Sequence, residues 1–212
     1  MKDKYCYIFG AGEYYADERV APDSFIIAAD AGIQVCRQKG IVPDVIIGDF
    51  DSLGYDLEGE NVIKLPKIKD DTDTLAAIRY ALNKGYRRFV LYGCTGGRIS
   101  HTLANIQSLS FLANRGAIGF LVDKCEVITA TKGGFHFSSD YSGFLSVFAA
   151  ESGTVVSEEG LKYTIDKQTI ATDFPIGVSN EFIGKKACIT VHSGTAVVVL
   201  EKQNEGVYFL WI

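Results

Sequence analysis

Asp49 and Asp51, in the run Gly48-Asp49-Phe50-Asp51-Ser52, follow the apolar β-branched stretch Val45-Ile46-Ile47. Such a stretch reads as a buried strand. Two carboxylates at i and i+2 just past a strand end can face one pocket. Hard divalent cations such as Mg²⁺ take oxygen ligands of this kind and complete their shell with substrate phosphates. The competing reading makes both aspartates turn and cap residues, which Asp also favours. A second acidic group, Asp70-Asp71-Thr72-Asp73, opens a helix with Leu75, Ile78 and Leu82 on its apolar face. Capping uses one or two carboxylates. Three exceed that need, which points to a metal or nucleotide role for at least one, with Asp73 the first candidate.

A phosphate-binding element is expected further on. Arg87–Tyr92 reads as a strand, Gly93-Cys94-Thr95-Gly96-Gly97-Arg98 as a glycine-rich turn, and Ser100 starts a helix with Leu103, Ile106, Leu109 and Ala113 facing inward. Backbone N–H groups of such a turn can approach a phosphate closely, the helix start favours its charge, and an arginine fork matches its oxygens. His101 and Asn105, four apart, share a helical face that either looks into the site or is a satisfied core pair. Gly10-Ala11-Gly12, after a first strand at 5–9, lacks the full dinucleotide fingerprint and reads as a weak phosphate-loop signal, a plain tight turn being favoured over it.

These residues need a scaffold, and the pattern supplies two. Up to residue 122 strands alternate with helical segments: strands at 24–29, 45–47, 61–65, 87–92 and 117–122, with a short helix closed by Gly40. That predicts an α/β domain with a largely parallel sheet over 1–122. From 123 to 212 only short Val/Ile/Thr/Phe-rich runs remain (126–131, 142–149, 153–157, 161–165, 186–192, 195–201 and 206–211), punctuated by glycine. That predicts an antiparallel all-β sandwich. Trp211, the only tryptophan, either packs on it or stacks on a ligand ring.

Composition bounds the partners. The chain of 212 residues is 47% hydrophobic with a net charge of −5, which argues against a nucleic-acid surface. No run reaches the length of a membrane span, and the N-terminal stretch does not read as a signal peptide. The five cysteines are scattered without a C-x-x-C, so neither a disulfide framework nor a zinc site is expected, and a reducing cytoplasm fits.

Together these stretches resemble the thiamine pyrophosphokinase family. Pro43-Asp44 with Gly48-Asp49-Phe50-Asp51-Ser52 is similar to its PD-x-x-x-GD-x-DS element, and Asp71-Thr72-Asp73 to its T-D segment. Gly96-Gly97-Arg98 with His101 and Asn105 resembles GGR-x-DH-x-x-x-N. Gly160-Leu161-Lys162-Tyr163 and Ser179-Asn180-Glu181 resemble the GLKY and SNE elements of its β-rich domain. The resemblance implies pyrophosphoryl transfer from ATP to the thiamine hydroxyl, with Mg²⁺ required, AMP released, and a homodimer with composite sites. It places Asp49, Asp51 and Asp73 on the metal and phosphates as catalytic residues with Arg98. Asp30, Asp71, Arg98, His101 and Asn105 would serve the nucleotide. Ser179, Asn180 and Trp211 would line the thiamine pocket from the other subunit. Two positions differ from the family pattern: Ser100 stands for an Asp, read here as a helix cap, and Asp30-Ala31-Gly32 for Asp-Gly-Gly. A related pyrophosphokinase acting on another ring-bearing alcohol such as a pterin, and a non-catalytic nucleotide-binding module, are the alternatives.

Overall fold

The computed structural model describes residues 2–15, 18–53, 57–66, 68 and 70–203. Contacts divide the chain into two units, Met1–Ser108 with Gly119–Asp123, and Leu109–Ile118 with Lys124–Ile212. The first unit's last segment ends at Asp123, and 109–118 group with the β-rich unit.

In the first unit, β1 (Lys2–Phe9), β2 (Phe25–Ala29), β3 (Val45–Gly48) and β4 (Val62–Lys64) pair in parallel, and β5 (Tyr86–Tyr92) joins the other side of β1, also in parallel. β6 (Ile118–Val122) neighbours β5, so the order is β6-β5-β1-β2-β3-β4. Strands sealed on both faces carry continuous apolar runs. Ile8, Phe9, Ile27, Ile47, Phe89 and Leu91 are accordingly almost wholly buried, each contributing about 1.5–3 kcal/mol. The helices are α1 (Gly32–Gln38), α2 (Asp73–Asn83) and α3 (Ile99–Ala113).

Two helical faces differ from the expected ones. On α2 the fully buried residues are Ala77, Ile78 and Ala81, with Leu75 and Leu82 only half-buried. Small residues let the helix approach the sheet closely. On α3 the inward side carries Asn105, Ser108, Leu109 and Leu112, and Leu103 is 58% exposed. Ser100 lies inside α3: the Arg98 carbonyl accepts the His101 N–H (3.0 Å), so the cap falls on Arg98.

The second unit is an antiparallel sandwich. One sheet runs β12 (Asn180–Glu181), β9 (Phe144–Ala149), β14 (Ala196–Glu201), β7 (Glu126–Thr131). The other runs β11 (Ile165–Ile170), β10 (Thr154–Glu159), β13 (Ala187–Ser193), β8 (Gly134–Phe137). Leu145, Val147, Val156, Ile189 and Val198 meet between them. β11 replaces the strand expected at 161–165, where only an isolated bridge from Leu161 to Phe182 forms. Its middle, Asp-Lys-Gln-Thr, is exposed and polar, so alternation gives no sign of it. The strand expected at 206–211 and Trp211 lie outside the described residues.

Candidate active site

The chain lays down β1 to β4 outward on one side of β1 and then returns to place β5 on the other. Ligands of open α/β sheets sit at the carboxyl ends of strands at such a reversal. Here those ends carry two glycine turns, Gly10-Ala11-Gly12 and Gly93–Gly97. Parallel register sets Phe9 beside Tyr92. The turns then bond directly: the Gly12 N–H donates to the Gly93 carbonyl (2.7 Å) and the Glu13 N–H to the Thr95 carbonyl (3.0 Å). A Cβ on Gly12 would stand 2.3 Å from the Thr95 oxygen, so only glycine allows this approach. Gly93 has φ +61° and carries the Tyr14 ring against its face. The Tyr14 hydroxyl donates to the Gly10 carbonyl at 2.6 Å, and burial raises its pKa. Burial also pushes the Cys94 thiol up to about 12, the Thr74 hydrogen bond acting against it, so Cys94 is an inert neutral thiol.

The carboxylates come from neighbouring strands. β2 ends into Asp30 and β3 into Asp49, with Ala29 beside Ile47 in register and the Asp30 N–H donating to the Ile47 carbonyl (2.8 Å). Asp73 is the first residue of α2. Its helix is capped by Thr72, whose hydroxyl accepts the Leu75 N–H at 3.2 Å. Capping therefore leaves Asp73 to other work. One carboxylate oxygen from each of Asp30, Asp49 and Asp73 lies within 4.8 Å of the others, all half-buried. Octahedral ligands at about 2.1 Å from Mg²⁺ are about 3.0–4.2 Å apart. An all-oxygen set of this spacing fits such an ion after a small closure, so Asp30, Asp49 and Asp73 would hold it.

Asp51, expected in this set, lines the same cavity outside the three-carboxylate group. Phe50 has φ +62°, which breaks the extended geometry that would keep i and i+2 on one face. The Asp51 N–H turns back to donate to Asp49 Oδ1 (3.3 Å), so Asp49 also caps the short 3₁₀ turn at Asp51–Leu53.

These groups share one cavity of about 570 Å³ in the first unit, lined by Asp30, Asp49, Asp51, Asp71, Asp73, both glycine turns, Arg98, His101 and Asn105. Asp71 is held by Arg79 Nη1 at 2.7 Å. Arg98 Nη2 and His101 Nε2 are in hydrogen-bond contact, which asks His101 to accept through Nε2. Asn105 is buried, and its Nδ2 donates to the Cys94 carbonyl (2.7 Å), tying α3 to the glycine turn. Ser100 is absent from the cavity wall. Of Gly10-Ala11-Gly12, read first as a tight turn, Ala11 and Gly12 do line it. The sequence signal was the strand–G-x-G order itself.

Of the residues expected at an acceptor pocket, Ser179 is exposed at φ +58° with its N–H on Ser146 Oγ (3.0 Å). Asn180 is buried and its amide is fully used. Nδ2 donates to Glu158 Oε2 and to the Tyr163 carbonyl, both at 2.7 Å. Oδ1 accepts from the N–H groups of Tyr163 (3.0 Å) and Glu181 (2.9 Å). It can position neighbours but has no bond left for a ligand.

Carboxylates facing a glycine-rich strand-to-helix turn with an arginine, at the reversal of a parallel sheet, make the site of a phosphotransferase, with an oxygen set that could hold a divalent cation. Residues 17–118 match the family described as thiamin pyrophosphokinase, catalytic domain, and residues 135–196 its vitamin B1 binding domain. The chain belongs to the thiamin pyrophosphokinase family. Relatives include thiamin pyrophosphokinase 1 of Caenorhabditis elegans, 25% identical over 84% of this chain and 79% of its own length. Another is the thiamine pyrophosphokinase of Bacillus subtilis, 27% identical over 87% and 89%. The crystal structure of thiamine pyrophosphokinase from Bacillus subtilis superposes with a TM-score of 0.82 at 23% identity, covering 94% of this chain and 100% of that one. That of Candida albicans gives 0.72 at 15%, over 94% and 89%. Among the described residues no helix is long and apolar enough to cross a membrane.

Proposed function

We propose that this chain is a thiamine pyrophosphokinase, transferring the pyrophosphoryl group of ATP to the thiamine hydroxyl and releasing thiamine diphosphate and AMP. The observation that carries the reading is the grouping of Asp30, Asp49 and Asp73 on one cavity wall with the glycine turn and Arg98. Five carboxylates against one arginine would repel a triphosphate, so the nucleotide enters as a cation complex, and Mg²⁺ fits the oxygen set. When bound there, the ion neutralises the phosphates and lets the hydroxyl oxygen approach the β-phosphorus. Asp30, Asp49 and Asp73 would hold it. Backbone N–H groups of the Gly93–Gly97 turn and the Arg98 fork orient the phosphates. Arg79 fixes Asp71, and Asn105 keeps the turn in place. The hydroxyl oxygen forms a bond to the β-phosphorus as the bond to the AMP oxygen breaks, and the hydroxyl proton leaves to solvent. Positioning and charge neutralisation supply most of such catalysis.

The working form is a homodimer in the cytoplasm, with Ser179 and Trp211 of one copy completing the acceptor pocket of the other and Asn180 holding the Tyr163 and Glu181 backbone beside Ser179. The five free cysteines accord with a reducing compartment. The test is AMP formation from ATP with a panel of ring-bearing alcohols, with Mg²⁺ and with chelator. Thiamine-dependent AMP that chelator abolishes supports the reading. AMP formed only with a pterin alcohol would transfer the activity to that substrate, and ATP binding without AMP would leave a nucleotide-binding module.

A further inference from the structure

The glycine turn between β5 and α3 is gripped by side chains that never reach the cavity. Glu13, Tyr14 and Tyr15 follow the first glycine turn and are absent from the cavity wall. The Tyr14 ring occupies the space where a Gly93 side chain would begin, its Cζ 2.3 Å and its hydroxyl oxygen 2.5 Å from that point. The hydroxyl donates to the Gly10 carbonyl at 2.6 Å. The ring also stacks on Phe9 of β1, centroids 6.3 Å apart at an angle of 10°. Glu13 covers Gly96 in the same manner, its Cγ 2.5 Å from where a Cβ would stand. The Tyr15 hydroxyl donates in turn to Glu13 Oε2 (3.0 Å). Gly97, at φ +59°, has open space on that side. Two of the turn's left-handed glycines are therefore covered by this segment, and the uncovered one comes directly before Arg98.

A turn of this composition needs such support. Gly93, Gly96 and Gly97 all have positive φ, yet glycine enters the opposite region just as readily. Left loose, the turn would sample many backbone forms, few of which converge N–H groups on one phosphate. A ligand whose competent partner form is only partly populated binds more weakly by that fraction. Asn105, the support from α3, bonds the Cys94 carbonyl. We propose that Tyr14 is a positioning residue for the phosphates: by tying Gly10 to Gly93 it keeps the Gly93–Gly97 turn in its anion-binding form before the nucleotide arrives. This rests on the reading of ATP as donor substrate. Phenylalanine would fill the same space and stack on Phe9 equally well, so the hydroxyl adds the tie to Gly10. Burial keeps the proton on that hydroxyl, and it remains a donor at any ordinary pH. The gain is preorganisation, in which a cost of binding is met during folding.

The test compares Tyr14→Phe with wild type in calorimetric titrations of the full chain with Mg²⁺-ATP, Mg²⁺-tripolyphosphate and thiamine. Loss of one such hydrogen bond should weaken both phosphate ligands by about 3–10-fold, because each must then order the turn. Thiamine affinity and kcat at saturating ATP should not change, so only KM for ATP rises. Tyr7→Phe is the control, since the Tyr7 hydroxyl accepts the Ala21 N–H (3.2 Å) instead of tying the glycine turns. It should lower the melting temperature to a similar extent and leave both phosphate affinities as they are. Cys94 gives a second readout, being inside the turn and 4% exposed. Tyr14→Phe should let maleimide reach it in the native chain, with Mg²⁺-tripolyphosphate restoring protection, while Cys6 in β1 stays unlabelled. Unchanged affinity for both phosphate ligands overturns the proposal. So does an equal loss in Tyr7→Phe, a lower kcat at unchanged KM, or Cys94 labelling no faster than in wild type. A wild-type chain that binds neither phosphate ligand overturns the proposal and the enzymatic reading together. If tripolyphosphate binds in a Tyr14-dependent way but no alcohol yields AMP, the enzymatic reading fails and the positioning role stands. Thiamine-dependent AMP at wild-type kcat/KM for ATP in Tyr14→Phe has the opposite meaning.

Discussion

Replacing Asp30 by Asn should stabilise the metal-free protein while crippling it. Asp30, Asp49 and Asp73 place oxygens within 4.8 Å of one another. A pair of unit charges at that distance repels by about 1 kcal/mol at the dielectric constant of water and about 3.5 kcal/mol at an effective value of 20. Asp30 takes part in two of the three pairs. The groups are half-buried, so solvent and salt keep the sum toward the lower end. Relief of about 1–3 kcal/mol is expected in chelator. Asp30 has φ +50°, a left-handed conformation that Asn tolerates as well as Asp, so no new backbone strain is introduced. With saturating Mg²⁺ the order should shift the other way. Losing one carboxylate ligand weakens the ion by about 10–100-fold, or about 1.4–2.7 kcal/mol of linked stabilisation. Urea unfolding of both proteins, in chelator and at several Mg²⁺ concentrations, reads these numbers directly, and AMP formation reads the catalytic loss. A variant less stable than wild type in chelator, or one with an undiminished Mg²⁺ response, would refute the carboxylate cluster as a metal site.

Gly93→Ala should cost about 2–4 kcal/mol in denaturant unfolding, because φ is +61° and the new Cβ would lie 2.3 Å from the Tyr14 ring; a loss below about 0.5 kcal/mol would mean that the turn repacks freely. Burial lifts the Glu158 carboxyl above its ordinary value of 4.5, so the folded chain holds that proton more tightly than the unfolded one. Its stabilising contribution is then full below pH 4.5 and is lost as pH rises through the raised value. Glu158→Gln should flatten that decline and match or exceed wild-type stability near neutral pH, as urea unfolding between about pH 5 and 8 would report. In maleimide labelling of the native chain, exposed Cys125 should react first. Cys94 and Cys36, buried with thiols pushed up to about 12 and about 11, should react only on unfolding. Native labelling of Cys94 would show that the glycine turn opens.

What the sequence by itself determined is local. Strand runs, glycine turns and helix starts depend on backbone propensity and period, so the α/β half, the antiparallel half, Asp49, Asp73 and the Gly93–Arg98 element could be read along the chain. Whatever depends on two distant segments meeting could not. The third carboxylate of the cluster is Asp30 rather than Asp51 because parallel pairing sets Ala29 beside Ile47, bringing the ends of β2 and β3 together. Phe50, at φ +62°, meanwhile turns Asp51 out of step with Asp49. Ala11 and Gly12 become part of the cavity only because β5 returns to the far side of β1. Asn180 reads as a ligand contact in its motif, yet Glu158, Tyr163 and Glu181 use all four of its hydrogen bonds. Glu158 itself gives no sign in the sequence, being one of two consecutive glutamates before a glycine. Periodicity records which face a residue takes on its own element, whereas the partners waiting on that face are set by strand order and register, which are properties of the whole fold.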